Sequence, residues 1–338
     1  MKNLLKRRGL AALALAAMPL FAAAADAPII IKFSYTIAPD TPKGKAVARF
    51  KELVEKRTAG KVRIDVFPNA ALYKDKEEVE ALQLGAVQML APAVSKFGPM
   101  GVREFEAFDL PYLFDSGADL SKVLEGPIGT SLLKKLDNKG LTGLAYWTAG
   151  FRGLCAKKLL VLPTDAKGLK FRIPSSKVLD SEIRAIGGMP QVLASSEVYQ
   201  ALQTGVVDGA EVTPSNMYTQ KLYEVQPNFV ATNHSALVYA VVINRKFWLG
   251  LPKDVQTAIE SSMKEATAYG NSLSDKDNED ALAAIKKSGR TKVQEPAPQE
   301  RLAWKKAWMP VHAEQAPKIG AELLDSIYKT TGFDPMKL

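Results

Sequence analysis

GLKFRIPSS, residues 168–176, is the segment from which the rest of this chain can be interpreted. It predicts a short strand that ends at Pro174, because proline has no N–H to donate to a sheet. Ser175 and Ser176 are candidate N-caps for a following helix. In an open α/β sheet, ligands bind in the crevice at the carboxyl ends of the strands. Arg172 would therefore direct a planar guanidinium into that crevice, where it can bind a carboxylate through two parallel hydrogen bonds. The alternative is a strand-end arginine solvated at the surface.

The N-terminus has the features of a secretory signal peptide over residues 1–25. Basic residues within positions 2–8 precede an apolar run, Leu10–Phe21, and Ala23–Ala25 is a small-residue cleavage site. The apolar run is too short to cross a bilayer. We therefore expect a soluble, exported, periplasmic chain that is cleaved near Ala25.

Composition excludes several function classes. The formal net charge of +9 falls to +5 when the four basic residues of the signal peptide are removed (9 − 4). Lysines alternate with glutamates in helix-like segments such as Lys74–Glu80, which indicates solvated faces and not a nucleic-acid footprint. Cys155 is the only cysteine, so no internal disulfide forms, and an inert buried thiol is favoured over a nucleophile. A hydrophobic content of 47% is enough for a sizeable core.

The first part of the mature chain alternates strand and helix patterns. Strands are predicted at 29–35, 62–66 and 87–91, with a helix that starts at Thr41 and a shorter helix at 76–84. This β-α-β-α-β order is typical of a parallel sheet with right-handed crossovers.

The same order returns after the central segment. The predicted elements are a strand at 169–173, a helix at 176–186, a strand at 191–194, a helix capped by Ser195 or Ser196 that runs to Gln203, and a strand from Val206. ALQLGAV at 81–87 matches ALQTGVV at 201–207 at five of seven positions. The repeated order favours two lobes of similar build.

Three segments connect the two predicted lobes. A strand at 144–147 leads into lobe two, a long apolar strand at 235–244 crosses back, and a helical stretch of unusual length covers 252–288 until Gly289. Two crossings and a long helix favour a hinged pair of lobes.

The sequence lacks a catalytic or metal-binding constellation. Its two histidines, His234 and His312, are far apart, and G-x-S-x-G, P-loop and G-x-G-x-x-G motifs are missing. Asp109, Asp115 and Glu211 have the chemistry of an acid or base, but capping or salt-bridge roles are favoured. An exported two-lobed α/β protein of this kind is most simply a binding protein that needs no cofactor.

Four motifs occur in one order and carry a family resemblance. They are LPYLF at 110–114, GLKFRIP at 168–174, EVYQALQTGVVDGAE at 197–211 and PSN at 214–216. With them the whole mature chain resembles the periplasmic solute-binding subunit of TRAP transporters, the C4-dicarboxylate-binding (DctP) family.

The resemblance implies a two-lobed α/β periplasmic binding protein fold, with two mixed or parallel sheets flanked by helices and a long helix spanning both lobes. We expect lobe one at 26–149 and 238–277, and lobe two at 150–237 and 278–338. The resemblance further implies a small carboxylate ligand that is captured by hinge closure and delivered to integral-membrane TRAP permease subunits. We expect a monomer that does not bind nucleic acid.

The resemblance also assigns ligand contacts by position. It implies that Arg172 clamps the ligand carboxylate, that Arg152 contributes a second contact, and that Asn216 is a polar contact. The alternatives are a hinge-surface arginine for Arg152 and a local helix cap for Asn216. Further contacts, which packing or solvated roles would equally explain, are expected from lobe one and the hinge: Lys32, Tyr35, Ser95, Trp147 and Tyr239.

Two positions depart from the family pattern. Dicarboxylate binders often carry histidine where Tyr35 stands and asparagine where Val212 stands. Val212 has no side-chain donor, so we expect a ligand with an apolar portion or a different second polar group. The alternative functions are an exported enzyme that acts on organic acids and a protein that presents its ligand to a sensory receptor.

Overall fold

The computed structural model describes residues 27–337 of the chain. The predicted signal peptide at 1–25 lies outside these residues. Within them, no helix combines the length and apolar character that crossing a membrane requires.

The described residues form two sheets with flanking helices. The strands are β1 (Ile29–Ser34), β2 (Val62–Phe67), β3 (Met89–Leu90), β4 (Leu141–Phe151), β5 (Gly153–Ala156), β6 (Lys170–Ile173), β7 (Met189–Val192), β8 (Gly209–Val212), β9 (Asn228–Val230), β10 (Ala236–Asn244) and β11 (Lys292–Gln294). The α-helices are α1 (Pro42–Arg57), α2 (Glu78–Gln83), α3 (Gly117–Leu124), α4 (Pro127–Lys135), α5 (Lys177–Ala185), α6 (Val198–Thr204), α7 (Pro214–Thr219), α8 (Arg245–Gly250), α9 (Lys253–Ser272), α10 (Ser274–Ser288), α11 (Pro298–Trp308), α12 (Pro310–Ile319) and α13 (Ala321–Thr331).

The first sheet belongs to lobe one and has the order β2-β1-β3-β10-β4. β1 pairs in parallel with β2 and β3, which confirms the predicted β-α-β-α-β unit. β10 pairs antiparallel with β3 and β4, so the returning strand lies inside this sheet and β4 forms its edge. Thr41 caps α1 by accepting from Gly44 N, and Pro42 occupies the first helical turn, as the sequence predicts.

The second sheet belongs to lobe two and has the order β11-β9-β5-β8-β6-β7. β6 pairs in parallel with β7 and β8, whereas β5 pairs antiparallel with β8 and β9. Both sheets are therefore mixed, which confirms the predicted fold class. Ser176 is the N-cap of α5 and accepts from Leu179 N.

The strands that connect the lobes meet at Arg152, the single residue between β4 and β5. Arg152 N donates to Ser235 O at 2.8 Å, and His234 N donates to Arg152 O at 3.1 Å. The outgoing and returning chains are thus hydrogen-bonded to each other where they pass between the sheets. Gly150 precedes this point with φ +81, and a Cβ there would lie 2.5 Å from Asn278 Nδ2. This position therefore requires glycine.

The predicted helical stretch at 252–288 consists of two helices separated by Leu273. α9 packs on α1 and β4 in lobe one, while α10 packs on α7 and β11 in lobe two and also contacts β4. Gly289 ends α10 in a left-handed conformation with φ +67, as predicted. The pair therefore spans both lobes with one non-helical residue between its halves.

Several predicted boundaries in the sheets and caps are wrong. The third strand of lobe one is reduced to Met89–Leu90, and β7 and β8 are displaced from the predicted positions. Neither Ser195 nor Ser196 caps α6, because residues Ser195–Glu197 form a 3₁₀ turn. The Glu197 carboxylate instead accepts from Ala194 N at 3.1 Å.

Two apolar clusters each belong to one lobe, and a third joins the lobes. One cluster packs α1 and α9 on a face of the first sheet, and another packs α6 and α10 on the second sheet. A third cluster extends from Phe105 in lobe one to Phe171 and Trp304 in lobe two. The C-terminal helix α13 packs on α3 and α4. Cys155 is fully buried and burial raises its pKa to about 12, which makes it inert as predicted.

Candidate functional site

A cleft lies between the two sheets at the carboxyl ends of β6 and β8. Lobe one contributes walls from the segments after β1 and β3 and from β10, and lobe two contributes the ends of β6 and β8 with α7. Its volume is about 70 Å³. Since one water needs roughly 10–15 Å³ on this measure, the cleft has room for a small organic molecule and not for a polymer.

Arg172 lies in this cleft and not at a solvated surface. It occupies the penultimate position of β6, and Pro174 follows the strand as predicted. Its Nε donates to Leu193 O at 3.0 Å, which fixes the direction of the guanidinium. The side chain is 11% exposed, and Nη2 lies 3.9 Å from Asp75 Oδ2. Burial lowers the pKa of Arg172 below its usual value, but a guanidinium remains protonated in proteins.

Arg152 reaches the same cleft from the hinge, and much of its hydrogen-bonding capacity is used within the protein. Its side chain is 2% exposed. Nη1 donates to Asp109 Oδ1 at 3.1 Å and to Ala236 O at 2.6 Å, and Nε lies 2.8 Å from Glu211 Oε2. Burial raises the pKa of Asp109 and of Glu211, and the charge of Arg152 opposes both shifts. Arg152 thus compensates two buried carboxylates.

Asn216, Tyr239 and Val212 complete the set of predicted residues that the structure brings together. Thr213 caps α7 by accepting from Asn216 N, which places Asn216 in the first turn of the helix. Asn216 Nδ2 donates to the Tyr239 hydroxyl at 3.4 Å, so the contact joins lobe two to β10 of lobe one. Val212, at the end of β8, adds an apolar surface to the cleft.

Four predicted contacts lie outside the cleft. Lys32 is exposed in the middle of β1 and does not reach the carboxyl end of the strand. Tyr35 and Trp147 are in the lobe-one core, where Trp147 Nε1 donates to Thr267 Oγ1 at 2.9 Å. The hydroxyl of Ser95 is buried without a hydrogen-bond partner. Strand alternation exposes Lys32, and core packing holds Tyr35 and Trp147.

Two charged residues of the cleft, Lys96 and Asp75, were missed by the sequence analysis. Lys96 Nζ lies 2.7 Å from Glu78 Oε1 and 3.4 Å from Asp75 Oδ2, and its side chain is 9% exposed. Asp75 belongs to the segment that the sequence analysis interpreted as a solvated helical face. Both residues lie outside regular strands, where hydrophobic periodicity gives no signal for burial.

A buried lysine supports the back of the cleft. Lys43 Nζ donates to Ala91 O at 3.0 Å and lies 3.6 Å from the centre of the Tyr239 ring. Burial lowers the pKa of Lys43 to about 7, and the charge of Glu78 opposes that shift. The ring of Tyr239 is therefore held by a cation–π contact on one side and by Asn216 at its hydroxyl.

This burial predicts that Lys43→Met is more stable than the wild-type protein at and below about pH 7. An unfolded lysine titrates near 10.4, so below about pH 7 both states hold the proton and the full cost of burying the ammonium is present. Between about pH 7 and about pH 10 the folded state loses this proton first, so the advantage of the variant shrinks. Urea unfolding at several pH values measures this difference. The exposed Lys61→Met is the control, and a difference independent of pH would contradict the assignment.

The described residues hold no group of three or more His, Cys, Asp or Glu side chains that would bind a metal. His234 stacks on Trp308 and His312 stacks on Phe333. Burial lowers the pKa of His234 to about 3 and that of His312 to about 4, so both rings are neutral at physiological pH. Both histidines are packed side chains of the interior.

Comparisons with known proteins agree with this geometry. The profile of the family described as "Bacterial extracellular solute-binding protein, family 7" matches residues 33–318. The C4-dicarboxylate-binding periplasmic protein DctP of Rhodobacter capsulatus is 55% identical over 304 residues, which cover 90% of this chain and 91% of the relative.

Solved structures give the same result. A TRAP periplasmic solute-binding protein of Shewanella oneidensis with bound succinate superposes with a TM-score of 0.88 at 37% identity, covering 90% of this chain and all of the relative. A TRAP periplasmic solute-binding protein of Pseudomonas aeruginosa with bound L-malate gives a TM-score of 0.83 at 38% identity, covering 85% of this chain and all of the relative.

Proposed function

The chain belongs to the bacterial extracellular solute-binding protein family 7, and we propose that it captures a small dicarboxylate and delivers it to the membrane permease of a TRAP transporter. The observation that carries this proposal is the Arg172 guanidinium in the cleft between the lobes, with its Nε tethered to Leu193. Relatives bound to succinate and to L-malate support the choice of ligand class.

One carboxylate of the ligand binds the Nη groups of Arg172, because a planar fork matches the two oxygens of a carboxylate. Asn216 and the Tyr239 hydroxyl supply neutral hydrogen bonds, and Lys96 supplies a cation from lobe one. Only the closed arrangement of the lobes offers all these groups at once. Ligand binding therefore shifts the equilibrium between open and closed protein towards the closed form. Charge-assisted hydrogen bonds replace the water that the anion loses.

We propose that Arg152 faces the ligand from the hinge as a second cation that lines the cleft. Its contacts with Asp109 and Glu211 hold it in place, and its charge lies beside the cleft. Lys32, Tyr35, Ser95 and Trp147 are not part of the proposed site, because the cleft is lined by other side chains.

The apolar wall of the cleft sets the preference among acids. Val212, Val198, Leu237 and Ile37 line it together with the charged groups. A dicarboxylate joined by methylene groups places its carboxylates on the charges and its carbon chain on this wall. A hydroxyl at the wall would lose hydrogen bonds to water. We propose succinate as the preferred probe and expect malate to bind more weakly.

We propose that the lobes divide the chain into 26–149 with 238–277 and 150–237 with 278–338. We propose that the protein acts as a monomer that does not bind nucleic acid, and that the segment 1–25 directs it to the periplasm and is removed near Ala25. The relatives compared above are named for binding, which does not favour the exported-enzyme alternative. Presentation of the ligand to a sensory receptor would use the same closed form.

Succinate should raise the melting temperature of the purified protein by several degrees at about a hundred times its dissociation constant, because ligand that binds only the folded state adds about 2.7 kcal/mol of stability. Differential scanning fluorimetry followed by calorimetry measures this effect, with malate and a monocarboxylate such as butyrate as comparisons. Butyrate keeps the methylene chain and lacks the second charge. Failure of every dicarboxylate to shift the melting temperature would refute the proposed function.

A further inference from the structure

The loop between β2 and α2 carries an aspartate that bridges the two lobes. Asp75 Oδ1 accepts a hydrogen bond from Ser195 N of lobe two at 3.0 Å. Its Oδ2 lies 3.9 Å from Arg172 Nη2 of lobe two and 3.4 Å from Lys96 Nζ of its own lobe. The Asp75 side chain is 8% exposed. One carboxylate therefore contacts both lobes at the side chain that we propose to bind the ligand.

The loop is held firmly in lobe one. Asn69 N donates to Ile37 O and Ala70 N donates to Tyr35 O, each at 3.1 Å. Both residues have φ +56, a conformation that non-glycine residues adopt at a cost. Backbone bonds to the end of β1 thus hold the tight turn before Asp75. A carboxylate on such an anchored loop moves with lobe one when the lobes separate.

Asp75 and Lys96 also form a partition across the space between the lobes. They line the cleft of about 70 Å³ on one side and a second cavity of about 250 Å³ on the other. The second cavity is also lined by Val79, Met100 and Leu193. The ion pair of Asp75 and Lys96 therefore separates the cleft from an adjoining space.

We propose that Asp75 is a clasp that holds the lobes together over the bound acid and sets how slowly the acid leaves; this inference rests on the proposed function. Opening must break the bond to Ser195 N and move the carboxylate away from Arg172. Lys96 stays beside Asp75 in either arrangement, since both belong to lobe one. Asp75 therefore opposes opening through its two contacts with lobe two.

The carboxylate is ionised in this position. Burial opposes ionisation, but the charges of Lys96 and Arg172 lower the pKa of Asp75 below its usual value. Another contact between the lobes, Lys74 with Glu197 at 3.1 Å, comes from the same loop and has side chains 52% and 42% exposed. An exposed pair contributes little, so Lys74 provides a matched control from the same loop.

Stopped-flow release of succinate tests the clasp directly. We expect Asp75→Ala to release succinate about tenfold faster than the wild-type protein, with a smaller change in the association rate. Asp75→Asn keeps an oxygen that can accept from Ser195 N but loses the charge. Its release rate should lie between those of the wild-type protein and Asp75→Ala. Lys74→Gln should stay within about twofold. A wild-type release rate in Asp75→Ala, or slower release, would overturn the proposal.

The distance between the lobes tests the clasp independently of the proposed function. Spin labels at Lys56→Cys in lobe one and Ala185→Cys in lobe two occupy exposed positions, while Cys155 is buried. Without added ligand, Asp75→Ala should shift the distribution of label distances towards larger separations, and Lys74→Gln should not. If wild-type protein binds no dicarboxylate but this shift occurs, the proposed function fails and the clasp stands. Identical distributions in Asp75→Ala and wild type would refute the clasp even where succinate binds.

Discussion

Arg172→Ala is expected to lose about 2–5 kcal/mol of succinate binding, because the variant leaves a buried carboxylate without its charged partner. This corresponds to a loss of affinity of roughly thirty-fold to several thousand-fold. Arg172→Lys should not restore binding, since a single ammonium cannot form the two parallel hydrogen bonds of a guanidinium. Isothermal titration calorimetry measures both variants.

The control for this experiment is Arg184→Ala, which removes an arginine from the exposed face of α5. Arg184 contacts Asp180 on the same helix, with a side chain that is 64% exposed. Its replacement should leave the affinity unchanged. The circular dichroism spectrum and the melting temperature of Arg172→Ala, compared with those of the wild-type protein, establish that the variant is folded. Wild-type affinity in a folded Arg172→Ala protein would refute the site assignment.

Arg152→Ala is expected to lower the free energy of unfolding by about 3–5 kcal/mol, because it leaves the buried carboxylates of Asp109 and Glu211 without their cation. Urea unfolding measures the loss. Arg63→Ala, which removes an exposed arginine paired with Asp65, should change stability by less than about 1 kcal/mol.

The loss in Arg152→Ala should depend on pH in a defined direction. Without Arg152 the pKa values of Asp109 and Glu211 rise further above the unfolded values of about 3.9 and 4.3. A carboxyl group with a raised pKa destabilises the folded state where it is ionised, and this penalty decreases as pH falls through the raised pKa. The difference from wild type should therefore shrink as the pH falls from about 7 towards the unfolded values of about 4. A constant difference over this range would contradict the assigned ion pairs.

Regular patterns made much of the fold predictable. The alternation of strands and helices indicated two lobes with parallel α/β sheets, and the crossing strands and the helical stretch at 252–288 indicated a hinge between them. The position of Arg172 followed from a rule about strand ends, because Pro174 marks where β6 stops. These features depend on hydrophobic periodicity and on proline and glycine chemistry, which a single sequence contains.

The cleft itself was predictable only in part. Asp75 and Lys96 lie outside regular strands, and their contacts join residues far apart in the chain. Trp147 and Tyr35 have the aromatic character of ligand contacts, but the packing of the first sheet against α1 and α9 buries them in the core. Which face of a strand meets the other lobe depends on how the sheets are placed together, and no local pattern encodes that placement.

The paired backbones at Arg152 restrict how the halves of this protein can move. Arg152 N–H donates to Ser235 O and Arg152 C=O accepts from His234 N, so two of the three connecting segments form a two-stranded ribbon and not independent tethers. Such a ribbon bends across its plane more easily than it slides within it, because sliding would break both hydrogen bonds. The favoured motion is consequently a rotation of one half towards the other about this ribbon, with little sliding of the cleft walls past each other.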